Sequence, residues 1–199
     1  MNASTLEQLL EQIEQERLPP VDQWRPERVA ELDMRIRRDG TWEYRGSPIQ
    51  RERMVQLFAT VLVAEYAGDD PLLAPQQRRY ALVTPSEKLY IKVDDAPLLA
   101  VSVDRHEDPQ GNGVLTLLTN TGSAVVVDAQ HPLFVIHAAA TGEPSPYVIV
   151  RAKLPALLTR SAYYQLAAFV ETVAGTIGVS SCGQFFPLDT DCETNASGA

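Results

Sequence analysis

Polar and apolar positions along this chain change their period several times, and each change marks a new element. Leu6, Leu9, Leu10 and Ile13 fall at i, i+3, i+4 and i+7 among Glu and Gln, the spacing that lines one face of a helix. A short amphipathic helix is predicted there, ended before Pro19-Pro20. It has two uses open to it, docking on the body of the protein or forming a dimer contact. From Val21 to Arg28 the composition is linker-like apart from Trp24. Met34–Ile36 and Trp42–Tyr44 then bracket Arg38-Asp39-Gly40-Thr41, and Asp-Gly between alternating runs predicts a hairpin. After Arg45-Gly46 a helix is expected, with Ser47 as N-cap, Pro48 at the first helical position and Gln50 three residues after the cap, which is the capping-box pattern with the favoured N1 proline. Met54, Val55, Leu57, Phe58, Val61 and Leu62 make it apolar on most sides, hence central.

Beyond an exposed loop over Ala67–Gln77 the period becomes two. Strands are predicted at Tyr80–Val83, Lys88–Val93, Leu98–Val103, Val114–Leu118, Ala124–Asp128 and Leu133–His137. Turn chemistry separates them at Thr84-Pro85-Ser86-Glu87, Asp94-Asp95-Ala96-Pro97, Gln110-Gly111-Asn112-Gly113 and Thr119-Asn120-Thr121-Gly122. Leu89, Ile91 and Val93 share one face and Lys88, Tyr90 and Lys92 the other, as in an antiparallel meander with one wet side. Pro144-Ser145-Pro146 precedes a strand at Tyr147–Val150, a second helix runs from Thr159 to Thr172, and Gly175–Leu188 supplies a last strand or pair of strands. Asp189–Ala199 is a polar tail expected to be disordered. The fold class is α+β: an N-terminal helix, then two related strand-helix halves with antiparallel sheets.

The relation between halves comes from a doubled phrase. Ile49–Leu57 and Leu158–Leu166 share the order aliphatic, any, Arg, any, any, two large apolar residues, Gln, Leu. Each opens an apolar segment after a short strand. A duplicated unit has a seam, and seams are common ligand sites. Packing accounts for the apolar positions of the phrase but not for Arg51 and Arg160, which the pattern puts near the starts of their helices. A cation there opposes the helix dipole. Either a carboxylate compensates it, with Asp94, Asp95 or Asp104 as candidates, or a bound anion does.

Composition narrows the partners. The 199 residues carry a net charge of −9 with 45% apolar positions, enough for a real core. That charge argues against a general grip on a nucleic-acid polymer, whose phosphates supply most non-specific affinity, and against anionic membrane surfaces. Only Lys88, Lys92 and Lys153 are lysines among 17 basic residues; arginine suits phosphate or carboxylate, and a GC-rich genome gives the same bias. Cys182 and Cys192 form no CxxC, as expected of a reduced cytoplasmic protein. No secretory leader or membrane span is visible, so the chain is expected to start at Met1 unprocessed. His106, His131 and His137 lack metal-ligand spacing, and no nucleophile triad, Walker or Rossmann pattern stands in a convincing context. No metal, cofactor or catalytic set is expected.

The residues that match a known family run in order along most of the chain: Asp39 to Arg51, Leu57-Phe58, Tyr80 to Lys88, Asp94 to Pro97, Thr119-Asn120, His131-Pro132-Leu133, Pro146 to Arg151 and Gly183 to Phe186. In these the chain resembles the bacterial domain-of-unknown-function family 1285. The resemblance implies a duplicated core whose C-terminal half is like a pleckstrin-homology domain, a ligand site between the halves for a nucleotide-like molecule, and a role in signal transduction. It assigns no reaction. The chain then divides into residues 1–28 (helix and linker), 29–96 and 97–188 (the two halves) and 189–199 (tail). Carried onto this sequence, the implied site residues are Trp42, Arg51, Thr84, Lys88, Asp94, Asp95, Asn120, Tyr147, Arg151 and Arg160. Leu98 departs from the aromatic expected after the proline, which would reshape the pocket's apolar wall.

Each candidate has a plain alternative. Trp42 can be core rather than a stacking platform. Thr84 can serve its turn, Lys88 can flank Glu87 on a solvated face, and Asn120 can close a hairpin. Asp94 and Asp95 can supply acid and base or hold a metal, yet adjacent strand residues point to opposite faces, and turn formation also uses Asp. Arg151 ends an apolar strand, where Glu143 or Glu171 can pair with it. The leading expectation is an anionic, nucleotide-like small molecule held by Arg51, Arg151, Arg160 and Lys88, with Trp42 or Tyr147 stacked on a ring. A partner-protein adaptor without a small molecule is the alternative, and a hydrolase built on Asp94 and Asp95 ranks last.

Overall fold

The computed structural model describes residues 18–66, 72–138, 141–151 and 153–189. The helix expected over Leu6–Ile13 and all but the first residue of the expected tail lie outside them. Among the described residues the chain is mostly strand, with helices at Glu52–Thr60 (α1) and Arg160–Ala167 (α2) and a single 3₁₀ turn at Pro75–Gln77.

Two six-stranded sheets carry the fold. The first holds β1 (Arg28–Ile36), β2 (Trp42–Tyr44), β3 (Ser47–Pro48), β4 (Leu62–Glu65), β5 (Arg79–Val83) and β6 (Glu87–Val93) in the order β3-β2-β1-β6-β5-β4. The second holds β7 (Leu98–Glu107), β8 (Gly113–Thr119), β9 (Ala124–Val126), β10 (Leu133–His137), β11 (Pro144–Arg151) and β12 (Leu154–Leu158) in the order β10-β11-β12-β7-β8-β9. The orders are one pattern read from opposite ends: two three-stranded antiparallel meanders joined where the first and sixth strands pair in parallel. Arg28 lies opposite Glu87 in one sheet and Leu98 opposite Ala156 in the other. The core is therefore duplicated, but its sheets are mixed rather than antiparallel. A third sheet, β13 (Glu171–Val173), β14 (Thr176–Ser181) and β15 (Gln184–Pro187), follows α2.

The doubled phrase does not mark this duplication. α1 sits between the third and fourth strands of the first half, whereas α2 follows the sixth strand of the second. Their likeness is that of two short amphipathic helices entered from a strand. The expected cap at Ser47 is also displaced. Arg45 and Gly46 both have positive φ, 51° and 74°, as a two-residue type I′ turn demands; the chain reverses there, and Ser47 pairs back onto Tyr44. Arg51 becomes the N-cap of α1, without a side-chain cap bond. Downstream, Leu62 leaves the expected helix to begin β4, and Leu154–Leu158, not foreseen as a strand, is central to the second sheet. Thr159 does cap α2, accepting from the Ala162 amide at 3.3 Å, but α2 ends at Ala167 and Glu171–Val173 turns to strand.

Alternation along the central strands sorts the core. Val148, Val150, Ala156 and Leu158 face α2 and share a core with its Ala162 and Leu166, while Tyr147, Ile149 and Leu157 face the other way with Leu99, Phe134 and Ala96. The first sheet packs Met34, Ile36, Trp42, Leu62 and Tyr80 under α1. The halves interlock: Ala59 of α1 belongs to the core of the second half, and Leu154 of β12 to that of the first.

Candidate functional site

The β1–β2 hairpin projects from the first half onto the second. At its tip Gly40 has φ +84°, and a Cβ there would stand 2.8 Å from Leu99 Cδ1 and 3.1 Å from Asn120 Nδ2. Only glycine fits both that backbone and that approach. Asn120 in turn accepts from the Leu99 amide at 3.0 Å. The hairpin so held overhangs a groove of about 690 Å³ lined by Arg38 and Asp39 from the first half and by Leu99, Glu143–Pro146, Leu157–Arg160, Tyr163 and Tyr164 from the second.

Arg38 is fixed at the edge of this groove although its side chain is exposed. Its guanidinium lies 3.3 Å from Asp95 Oδ2 and donates to Ser145 Oγ at 3.1 Å. Asp95, in the four-residue link between β6 and β7, is only 2% exposed. Its Oδ1 accepts from the Tyr147 hydroxyl and from Gln76 Nε2, each at 2.9 Å. Oδ2 is buried with no bond of hydrogen-bonding geometry, yet the guanidinium stands close enough to balance its charge, and the proximity is the more informative fact for a carboxylate. Burial, reinforced by Asp95, pushes the Tyr147 hydroxyl well above the ordinary tyrosine range. Hairpin, link and second sheet are thus tied by one polar cluster. A second tie lies at Arg78, 5% exposed, which donates to the carbonyls of Leu73 and Lys153 and stacks 4.9 Å from the Tyr66 ring.

Arg160, at the first position of α2, makes no hydrogen bond or ion pair among the described residues. It is the one arginine of the doubled phrase that reaches the seam groove. Arg51 is exposed at the start of α1 and does not line it. Neither is compensated by Asp94, Asp95 or Asp104.

The other expected site residues scatter. Trp42 is core, 2% exposed and stacked on Phe58 at 6.1 Å. Tyr147 is equally buried and stacks on Phe134 at 5.5 Å, so neither ring is open to a ligand. Thr84 closes its turn, accepting from the Glu87 amide at 3.0 Å. Lys88 is paired with Glu65 beside Tyr90. Asp94 pairs with Arg35 at 2.7 Å on the outside while Asp95 is buried, so they share no reaction centre. Arg151 donates to the Ala59 carbonyl and lines a separate groove of about 580 Å³ with Arg53, Gln56 and Thr121–Ser123. Leu98, expected to shape the pocket wall, points into the core, and Leu99 lines the groove instead. Among the described residues no group of His, Cys, Asp or Glu could hold a metal ion.

Arg38, Tyr163 and Tyr164 were missed by sequence reasoning. Arg38 was hidden as a turn residue, though a hairpin tip is where a side chain can reach another domain. The two tyrosines stand at apolar positions of the phrase that packing would explain, but adjacent helical residues diverge, and Tyr164 is 67% exposed.

Comparison with known proteins settles the relationship. The family model for the N-terminal domain of DUF1285, a domain of unknown function, matches residues 19–96, and that for the C-terminal domain matches residues 97–188. The chain belongs to the DUF1285 family. A crystal structure of a DUF1285 protein from Silicibacter pomeroyi is similar, with 41% identity, TM-score 0.75 and coverage of 90% of this chain and 93% of that one. One from Shewanella baltica shares 26% identity over 69% of this chain and 91% of its own, with TM-score 0.47. No curated protein matches at a significant level. The border between the two DUF1285 domains falls between Ala96 and Pro97, one residue beyond Asp95, the buried carboxylate behind Arg38. Among the described residues no helix is long and apolar enough to cross a membrane.

Proposed function

We propose that the protein binds an anionic, nucleotide-like small molecule in the groove between its halves. Arg160 and Arg38 take the anion, and Tyr163 or Tyr164 takes the ring. The observation that carries this reading is Arg160, a cation without a partner among the described residues, sharing one groove with an arginine held in place from behind and with two tyrosines. The volume, about 690 Å³, lies in the range of small-molecule sites. Within this reading the protein acts in the cytoplasm, and binding serves the signalling role that the family resemblance implies.

A thermal-shift screen with nucleotides, cyclic dinucleotides and sugar nucleotides tests it. A ligand at ~100 times its Kd stabilises by about 2.7 kcal/mol, which moves the midpoint of a chain of this size by roughly 5 to 11 °C. The shift should vanish in Arg160→Ala and shrink in Arg38→Gln. No shift with any compound overturns the reading.

A second reading, a protein-interaction adaptor built on the pleckstrin-homology-like half, draws on the exposed Tyr164, Val170, Val173 and Ile177 running from α2 onto the third sheet. A stoichiometric partner that is captured by the wild type and lost in Ile177→Asp, with no ligand shift, would favour it.

A further inference from the structure

The charges around the seam groove do more than admit an anion; they limit how much charge it can carry. The lining supplies two cations, Arg38 and Arg160, and two carboxylates, Asp39 and Glu143. Asp95 stands directly behind Arg38 at 3.3 Å. Carboxylates therefore outnumber cations by one before any ligand arrives. A polyphosphate would leave several charges unbalanced beside them, whereas a single negative charge can sit between the arginines. The carboxylates that remain are hydrogen-bond acceptors, and they favour a ligand whose other polar groups are hydroxyls or amines. The apolar part of the wall, Leu99, Leu157 and Leu158 with Tyr163 and Tyr164, suits a flat ring.

We infer that the groove selects a singly charged, ring-bearing anion with hydrogen-bond donors, the chemistry of a cyclic nucleotide phosphodiester, over phosphomonoesters and polyphosphates. This rests on the groove being the ligand site. A phosphodiester carries one negative charge, while a phosphomonoester carries about −1.5 to −2 at neutral pH. Exposed charge pairs contribute little net energy, and salt screens them further. The discrimination is therefore modest and best seen at low ionic strength.

Titration calorimetry on the full chain decides it, using a cyclic nucleotide monophosphate, the open monophosphate of the same nucleoside and its triphosphate, in one purine and one pyrimidine series. Affinity should fall roughly twofold or more with each added negative charge. The differences should narrow in Glu143→Gln and in Asp39→Asn, and Glu143 is exposed enough for its substitution to leave the fold intact. If the triphosphate binds tightest, or the spacing of affinities is the same in both variants, the inference fails while the ligand site stands. If none of the three compounds binds in either series, the inference fails, and the wider thermal-shift screen decides whether the site fails with it.

Discussion

The Tyr147 hydroxyl donates to Asp95 across 2.9 Å, joining the fifth strand of the second sheet to the link between the halves. Both partners are 2% exposed, so this bond is made in a setting where an unmet polar group is costly. Tyr147→Phe should destabilise the protein by about 1–3 kcal/mol. At roughly 2–4 °C per kcal/mol for a chain of this length, the midpoint should fall by about 2–12 °C in calorimetry. A change within error would mean that Gln76 and Arg38 satisfy Asp95 by themselves.

Alkaline pH should expose the same burial. Tyr147 and Tyr80 are both held protonated by burial, with Asp95 adding to the effect on each. The folded values lie above the unfolded value, ordinarily near 10. Their contribution is therefore fully present below about pH 10 and is lost as pH rises toward the folded values, because the unfolded chain releases its protons first. Denaturant midpoints should stay level up to about pH 9 and drop beyond it. Tyr147→Phe should flatten that drop, as should Tyr80→Phe, and an unchanged slope in both would refute the assignment.

Glu65 predicts the opposite limb. Burial raises its pKa, but hydrogen bonds from Lys88 and Tyr90 outweigh this and leave it below the usual carboxylate range. Its stabilisation is present above the ordinary carboxylate pKa and is lost as pH falls through the folded value. Lys88→Met should cost less than about 1 kcal/mol at neutral pH, since the pair is partly exposed. The difference between variant and wild type should close as pH falls below the usual carboxylate range, which urea melts at neutral and acid pH would read.

Gly40→Ala and Gly46→Ala form a matched pair. Both glycines have positive φ, but the added Cβ at Gly46 meets nothing within 4 Å, whereas at Gly40 it runs into Leu99. Gly46→Ala should cost about 1–2 kcal/mol from backbone conformation alone. Gly40→Ala should cost more and should also weaken binding of the proposed anion, because the displaced hairpin carries Arg38. Equal costs in the two would mean that the hairpin tip is free to lift.

What the sequence made legible was local. The Arg38–Thr41 hairpin, the alternation of Leu89, Ile91 and Val93, and the Thr159 cap are each encoded within a few residues. Leu154–Leu158 escaped because all five positions are buried, so no alternation betrays a strand, and Pro155 sits inside it. Leu62–Glu65 was masked by the apolar helix pattern running into it. The parallel pairings left no local trace, since a register between strands distant in sequence is set by packing. For the same reason Arg160 was found but its neighbours were not. A helix cap identifies Arg160, whereas nothing near Arg38 says which surface the hairpin tip will meet.

Each sheet is made of two meanders whose strands follow one another closely, closed by one pairing between residues 59 apart in the first half, Arg28 with Glu87, and 58 apart in the second, Leu98 with Ala156. Closing so long a loop is entropically the slow step. The meanders should thus assemble early in refolding and the two central parallel pairs late. The link carrying Asp95 adjoins both late pairs, so the seam groove would be among the last features to take shape and among the first to be lost.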